Sequence, residues 1–161
     1  MKGFIMSSLL AASAACAAGD IAVTPPSSPA PAGFESVGED RRAIQNVLAA
    51  YTKAVSTKDQ ATFETLLLSK TIAFSYVPDD TPAAQAGVAN YDSFRRGVFE
   101  GPPFTQRFTN VRIEQDGNLA SVTLVFINTQ AQGESWGWKT LHLLKTAEGW
   151  KIASEFYTSH R

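Results

Sequence analysis

The sequence predicts an α+β domain in which helices cover one face of an antiparallel sheet. Two observations carry this. Helical periodicity is confined to the stretch before residue 100, interrupted by one strand-like run. From residue 106 to the end, β-rich runs follow one another through short hairpin turns. Helices gathered ahead of a meander of strands belong to the α+β class.

The elements follow in order. Residues 40–56 form an amphipathic helix: Ile44, Val47, Leu48, Tyr51, Ala54 and Val55 recur at helical spacing, and Arg41, Arg42, Gln45 and Lys53 fall elsewhere. Asp59 caps a second, short helix that turns Phe63, Leu66 and Leu67 inward. Residues 71–77 are β-branched and aromatic and end at Pro78-Asp79-Asp80, the pattern of a strand. Residues 81–89 are loop. Asn90 caps a third helix with Tyr91, Phe94 and Val98 on one side, stopped by Gly101-Pro102-Pro103. Four strands come next: 106–114, 119–129, 135–144 and 149–157. Their turns lie at Gln115-Asp116-Gly117-Asn118, Ala131-Gln132-Gly133 and Thr146-Ala147-Glu148-Gly149. Asp-Gly in the first suits the positive φ values of tight turns. A curved sheet cupped over helices leaves a pocket between the layers.

The start of the chain reads as an export signal, assigned to residues 1–18. Lys2 is followed by an apolar stretch and then by small residues, with Ala12-Ser13-Ala14 and Ala15-Cys16-Ala17 as small-x-small sites. The stretch falls short of the roughly 20 apolar residues of a permanent span. The expected location is periplasmic or secreted. Cys16 is the sole cysteine, so disulfide and thiolate chemistry are absent from the domain. The run 10–16 also loosely matches a lipoprotein signal, which would anchor Cys16 by lipid. Residues 19–38 are a Pro/Ser/Ala-rich linker, and 39–161 form one domain. A net charge of −1 with mixed signs excludes a nucleic-acid footprint. No metal motif, phosphate loop, dinucleotide fingerprint or nucleophile elbow is present, so no metal or cofactor is expected.

The strand 135–144 carries the clustered polar-aromatic residues. Trp136, Trp138, Thr140 and His142 share one face, expected to be a pocket wall. Two larger motifs frame the domain. One is Ile44-x-x-Val47-Leu48-x-x-Tyr51-x-x-Ala54-Val55 with Lys58-Asp59 and Phe63, Leu66, Leu67. The other is Leu143-Leu144-Lys145, Gly149-Trp150-Lys151-Ile152 and Glu155-Phe156-Tyr157. Together they resemble the nuclear transport factor 2-like (NTF2-like) superfamily, within it the SnoaL-like and lumazine-binding groups, over residues 40–160. The resemblance implies a conical α+β barrel with a deep apolar pocket, often in homodimers. Against the ketosteroid isomerase branch, it puts Tyr51 at the position of the hydrogen-bonding helix tyrosine. Ser75 falls where the base aspartate would stand, and His142 near the acid of a later strand. A lone serine is too weak a base to take a carbon-bound proton.

Each candidate has a competing structural reading. His142 is either an acid/base or ligand donor, or a packed imidazole. Glu155 either orients His142 or faces solvent, since one residue of register turns every side chain over. Tyr51 is a pocket donor or a buried core aromatic. Trp138 and Trp136 stack on a ring-shaped ligand or belong to core or dimer interface; Trp150 is structural. Phe74, Tyr76 and Phe126 line the expected pocket. Arg107 and Asn128 are weaker candidates for a ligand's anionic or carbonyl group. The leading expectation is an exported binder of a small, partly apolar molecule. The alternatives are a cofactor-independent lyase, isomerase or hydrolase using His142, Tyr51 and Glu155, and a dimeric interaction domain.

Overall fold

The computed structural model describes residues 33–78 and 89–160. The expected leader, Cys16 and most of the linker lie outside the described residues, as does nearly all of the 81–89 loop. Helix α1 (Gly38–Thr57) is followed by α2 (Gln60–Thr65), β1 (Ala73–Pro78), β2 (Ala89–Asn90) and α3 (Tyr91–Arg95). A π-helical turn (Arg96–Glu100) continues α3. Then come β3 (Thr105–Asp116), β4 (Leu119–Gln130), β5 (Gly133–Thr146) and β6 (Gly149–Ser159). The short β2 is an addition to the expected order, and the π turn replaces the end of the expected third helix.

α1 buries the predicted stripe: Ile44, Leu48, Tyr51, Ala54 and Val55 are all in the core. Each large apolar side chain buried this way contributes about 1.5–3 kcal/mol. α1 ends at Lys58, which adopts the left-handed conformation (φ 59°). Asp59 then accepts the Thr62 N–H and caps α2, and Asn90 caps α3 through the Ser93 N–H.

The six strands run in the order β2-β1-β6-β5-β4-β3, so the sheet is not closed. All neighbours are antiparallel except β1 and β6. Residues 34–36 lie along β3, with the Ser36 N–H donating to the Ile113 carbonyl at 3.0 Å, and so cover part of that edge. The β3–β4 turn places Gly117 at φ 55°, which a side chain would resist. Gly137 is required for another reason: a Cβ there would sit 1.9 Å from the Thr158 carbonyl oxygen.

Two bulges interrupt the ladder. One lies in β3 between Thr109 and Arg112, with Asn110 at φ 53°. The other lies between β5 and β6. Leu143 pairs with Ile152, but His142 pairs with Ser154, so Ala153 is an extra residue in β6. Simple alternation from the buried Ile152 would turn Glu155 outward. The extra residue reverses the alternation and turns Glu155 into the core.

Candidate functional site

β5 decides the site by its two faces. Gly137, Lys139, Leu141 and Leu143 are buried, whereas Trp136, Trp138 and His142 are exposed. The expected face of aromatic and imidazole residues exists, but it is the outer face of the sheet. Trp138 is 53% exposed and Trp136 48%. His142 Nδ1 bonds the Ser154 hydroxyl at 2.8 Å across the outer face. The expectation that His142 and Trp138 face the pocket is therefore corrected. The reason lies in the alternating set: Leu141 and Leu143 are the aliphatic pair that the core requires, and Lys139 precedes them on the same face.

Lys139 is the residue that sequence reasoning missed. It is 2% exposed and Glu155 is 0%. Lys139 Nζ donates to Glu155 Oε1 at 2.6 Å and to Tyr51 Oη at 2.6 Å. Tyr51 Oη donates to the Glu155 carboxylate, at 2.9 and 3.0 Å from its two oxygens. The rings of Tyr51, Phe108, Phe126 and Tyr157 surround the ammonium, with centroids 4.5–5.8 Å away. Burial pushes the Tyr51 phenol well above its usual pKa, and the Glu155 carboxylate adds to the rise. Burial pulls the Lys139 ammonium down, against the pull of Glu155. Tyr51 and Glu155 thus meet inside the domain. His142 does not join them, and the expected His142–Tyr51–Glu155 set does not form. The signal for Lys139 was legible: a lone cation at the spacing of Leu141 and Leu143 demands a buried partner, and Glu155 is the only acid of β6.

A cavity of about 440 Å³ opens beside this cluster. Phe74 and Tyr76 from β1, Phe94 from α3, and Phe104 and Phe126 form its apolar wall. Asn90, Ser93, Asn128, Gln130 and Ser159 supply polar groups, and the buried Ser75 also faces it. Tyr51 is not on this wall, contrary to expectation. The rings of Phe126 and Tyr157, which are on it, lie between the cavity and Lys139. None of the described lining residues carries a charge. The π turn contributes Gly97 and Val98. Lys58 fixes that turn by donating to the carbonyls of Val98 and Pro102, while its ammonium sits 4.7 Å from the Phe104 ring centre. Arg107 is engaged elsewhere, paired with Glu134 at 3.0 Å. Among the described residues, no group of three His, Cys, Asp or Glu is placed to hold a metal ion. No described helix is long and apolar enough to cross a membrane.

Comparison with known proteins agrees with this architecture. The model of the SnoaL-like domain matches residues 44–157. No curated protein matches the chain. Among solved structures, an NTF2-like protein of unknown function from Shewanella baltica is 16% identical. The match covers 78% of this chain and 99% of that one, with a TM-score of 0.60. A candidate dehydratase of the NTF2-like family from Streptomyces avermitilis is 15% identical over 75% of this chain and 96% of its own, with a TM-score of 0.62. A candidate aromatic ring hydroxylase from Novosphingobium aromaticivorans is 21% identical over 74% and 88%, with a TM-score of 0.57. These likenesses concern the fold. By the match that spans α1 to β6, the chain belongs to the SnoaL-like domain family, on an NTF2-like fold.

Proposed function

We propose that this protein is an exported domain that binds a small, partly apolar molecule in the cavity beside β1 and α3. The cavity itself carries the reading: about 440 Å³ of space with an aromatic wall and a few neutral polar groups, within the size range of small-molecule sites. An acid or base must reach its substrate, whereas Lys139, Glu155 and Tyr51 are bonded to one another behind Phe126 and Tyr157. Export rests on Lys2 and the apolar and small residues after it, with a lipid anchor at Cys16 as its variant.

A second reading is a cofactor-independent lyase, isomerase or hydrolase. It is favoured by the convergence of three ionisable groups inside the domain, and it substitutes Lys139 for His142 as the partner of Tyr51 and Glu155. It requires Phe126 and Tyr157 to swing aside. A homodimer accompanies either reading, because the outer face joins Val125 and Ile127 to the exposed Trp136, Trp138 and Phe156.

Native mass spectrometry of the mature domain tests these together. The expected result is a dimer that retains a small molecule, released on denaturation. An empty protein that also takes up no apolar ring compound would remove the binding reading.

A further inference from the structure

We propose that the cavity selects uncharged ligands bearing a hydrogen-bond-accepting oxygen, such as a ketone, ester, lactone or quinone carbonyl on a ring body, and that Asn90 and Asn128 are the donors that recognise it. This rests on the cavity being a binding site and goes further by naming the chemistry of its occupant.

The first step is charge. None of the described lining residues is ionised at neutral pH. The buried Lys139 and Glu155 neutralise each other, and the Lys58 ammonium beside the wall is taken up by the Val98 and Pro102 carbonyls. An ion entering the cavity would lose part of its hydration and meet no counter-charge among the described lining residues, a loss that neutral hydrogen bonds do not offset.

The second step is polarity of the hydrogen bonds. A side-chain amide offers one oxygen and two N–H groups. The Asn90 oxygen accepts the Ser93 N–H at 3.1 Å, the bond that caps α3. The Asn128 oxygen accepts from Gln106 Nε2 at 2.8 Å, and Gln106 is held in turn by its own N–H on the Ser56 hydroxyl at 2.9 Å. Each oxygen already accepts one bond that holds the fold, whereas the N–H groups of these two amides are left to meet a ligand. At Asn90 and Asn128 the wall therefore donates, and the complement of that pair accepts. Phe74, Phe94, Phe104 and Phe126 face the remainder of the ligand, which suits a flat apolar ring.

The test uses three probes of one body: 2-acetonaphthone, 2-ethylnaphthalene and 2-naphthoate, titrated into the full domain. Binding is read by calorimetry and by the side-chain amide signals of Asn90 and Asn128 in nitrogen-15 spectra. The ketone is expected to bind about tenfold tighter than the hydrocarbon, to bind tighter than the carboxylate, and to shift both amide signals. Asn90→Asp and Asn128→Asp each keep an oxygen for Ser93 or Gln106 and replace the N–H donors with a carboxylate oxygen that repels an accepting group; Asp also caps a helix as well as Asn does. Each variant is expected to weaken the ketone about tenfold and leave the hydrocarbon unchanged. Naphthoate binding as tightly as the ketone would overturn the proposal, as would Asp variants that weaken ketone and hydrocarbon alike. Failure of all three probes to bind would instead overturn the cavity's role as a binding site, and the proposal with it.

Discussion

Lys139, Glu155 and Tyr51 are held by one another rather than by water, and that makes each of them costly to change alone. Glu155→Gln leaves the Lys139 ammonium buried without a counter-charge, and the expected loss is about 3–5 kcal/mol in urea unfolding. Lys139→Met, Glu155→Leu and Tyr51→Phe together remove both charges and the hydroxyl bonded to them, so the triple variant is expected to cost far less than Glu155→Gln. A triple variant no more stable than the single one would show that the cluster itself stabilises the fold. These residues were half legible. Tyr51 falls on the apolar stripe of α1 by simple periodicity, and the sequence marks it as buried. Glu155 was undecidable, because its face depends on the bulge at Ala153. His142 was misplaced because a polar-aromatic face resembles a site, while the aliphatic Leu141 and Leu143 on the opposite face show where the core lies.

At the scale of elements, the caps of α2 and α3 and the three hairpin turns occur where Asp59, Asn90 and the glycines predict them. Local chemistry sets such features, so local sequence reveals them. The π turn is different. Its position is held by Lys58, which reaches the carbonyls of Val98 and Pro102 from the end of α1. Burial also lowers the pKa of that ammonium. Lys58→Met keeps the aliphatic stem and removes both bonds. The expected loss is about 1–2 kcal/mol, with faster hydrogen exchange at the amides of residues 97–101. Unchanged exchange there would mean that the turn holds itself. Because Gly97 and Val98 line the cavity, ligand affinity is expected to fall in the same variant.

For the whole molecule, the packing of α1 and α2 gives stability a dependence on acid. Asp40 on α1 meets Lys145 at 2.8 Å and accepts from Gln115 at 3.0 Å and from the Trp150 indole at 3.1 Å, and these partners lower its pKa from 3.8 to about 2. Glu64 on α2 is lowered from 4.5 to about 2 by Lys70, then Gln60 and Tyr91. Between those values the unfolded chain binds more protons than the folded one. Stability present above about pH 4.5 is therefore lost as the pH falls towards 2. Urea midpoints at pH 7, 5 and 3 should decline mainly over the last interval, and Asp40→Asn should flatten part of that decline. A pH-independent midpoint would contradict the assignment. The sequence by itself determined the α+β class, the order of the main elements, the helix caps and the buried stripe of α1, because periodicity and turn chemistry act over a few residues. The tertiary structure alone decided which face of β5 turns inward, that Lys139 finds Glu155 and Tyr51, and that the described residues lining the cavity are neutral. Those outcomes depend on strand register and on one inserted residue in β6, and register is set by packing between strands rather than within them.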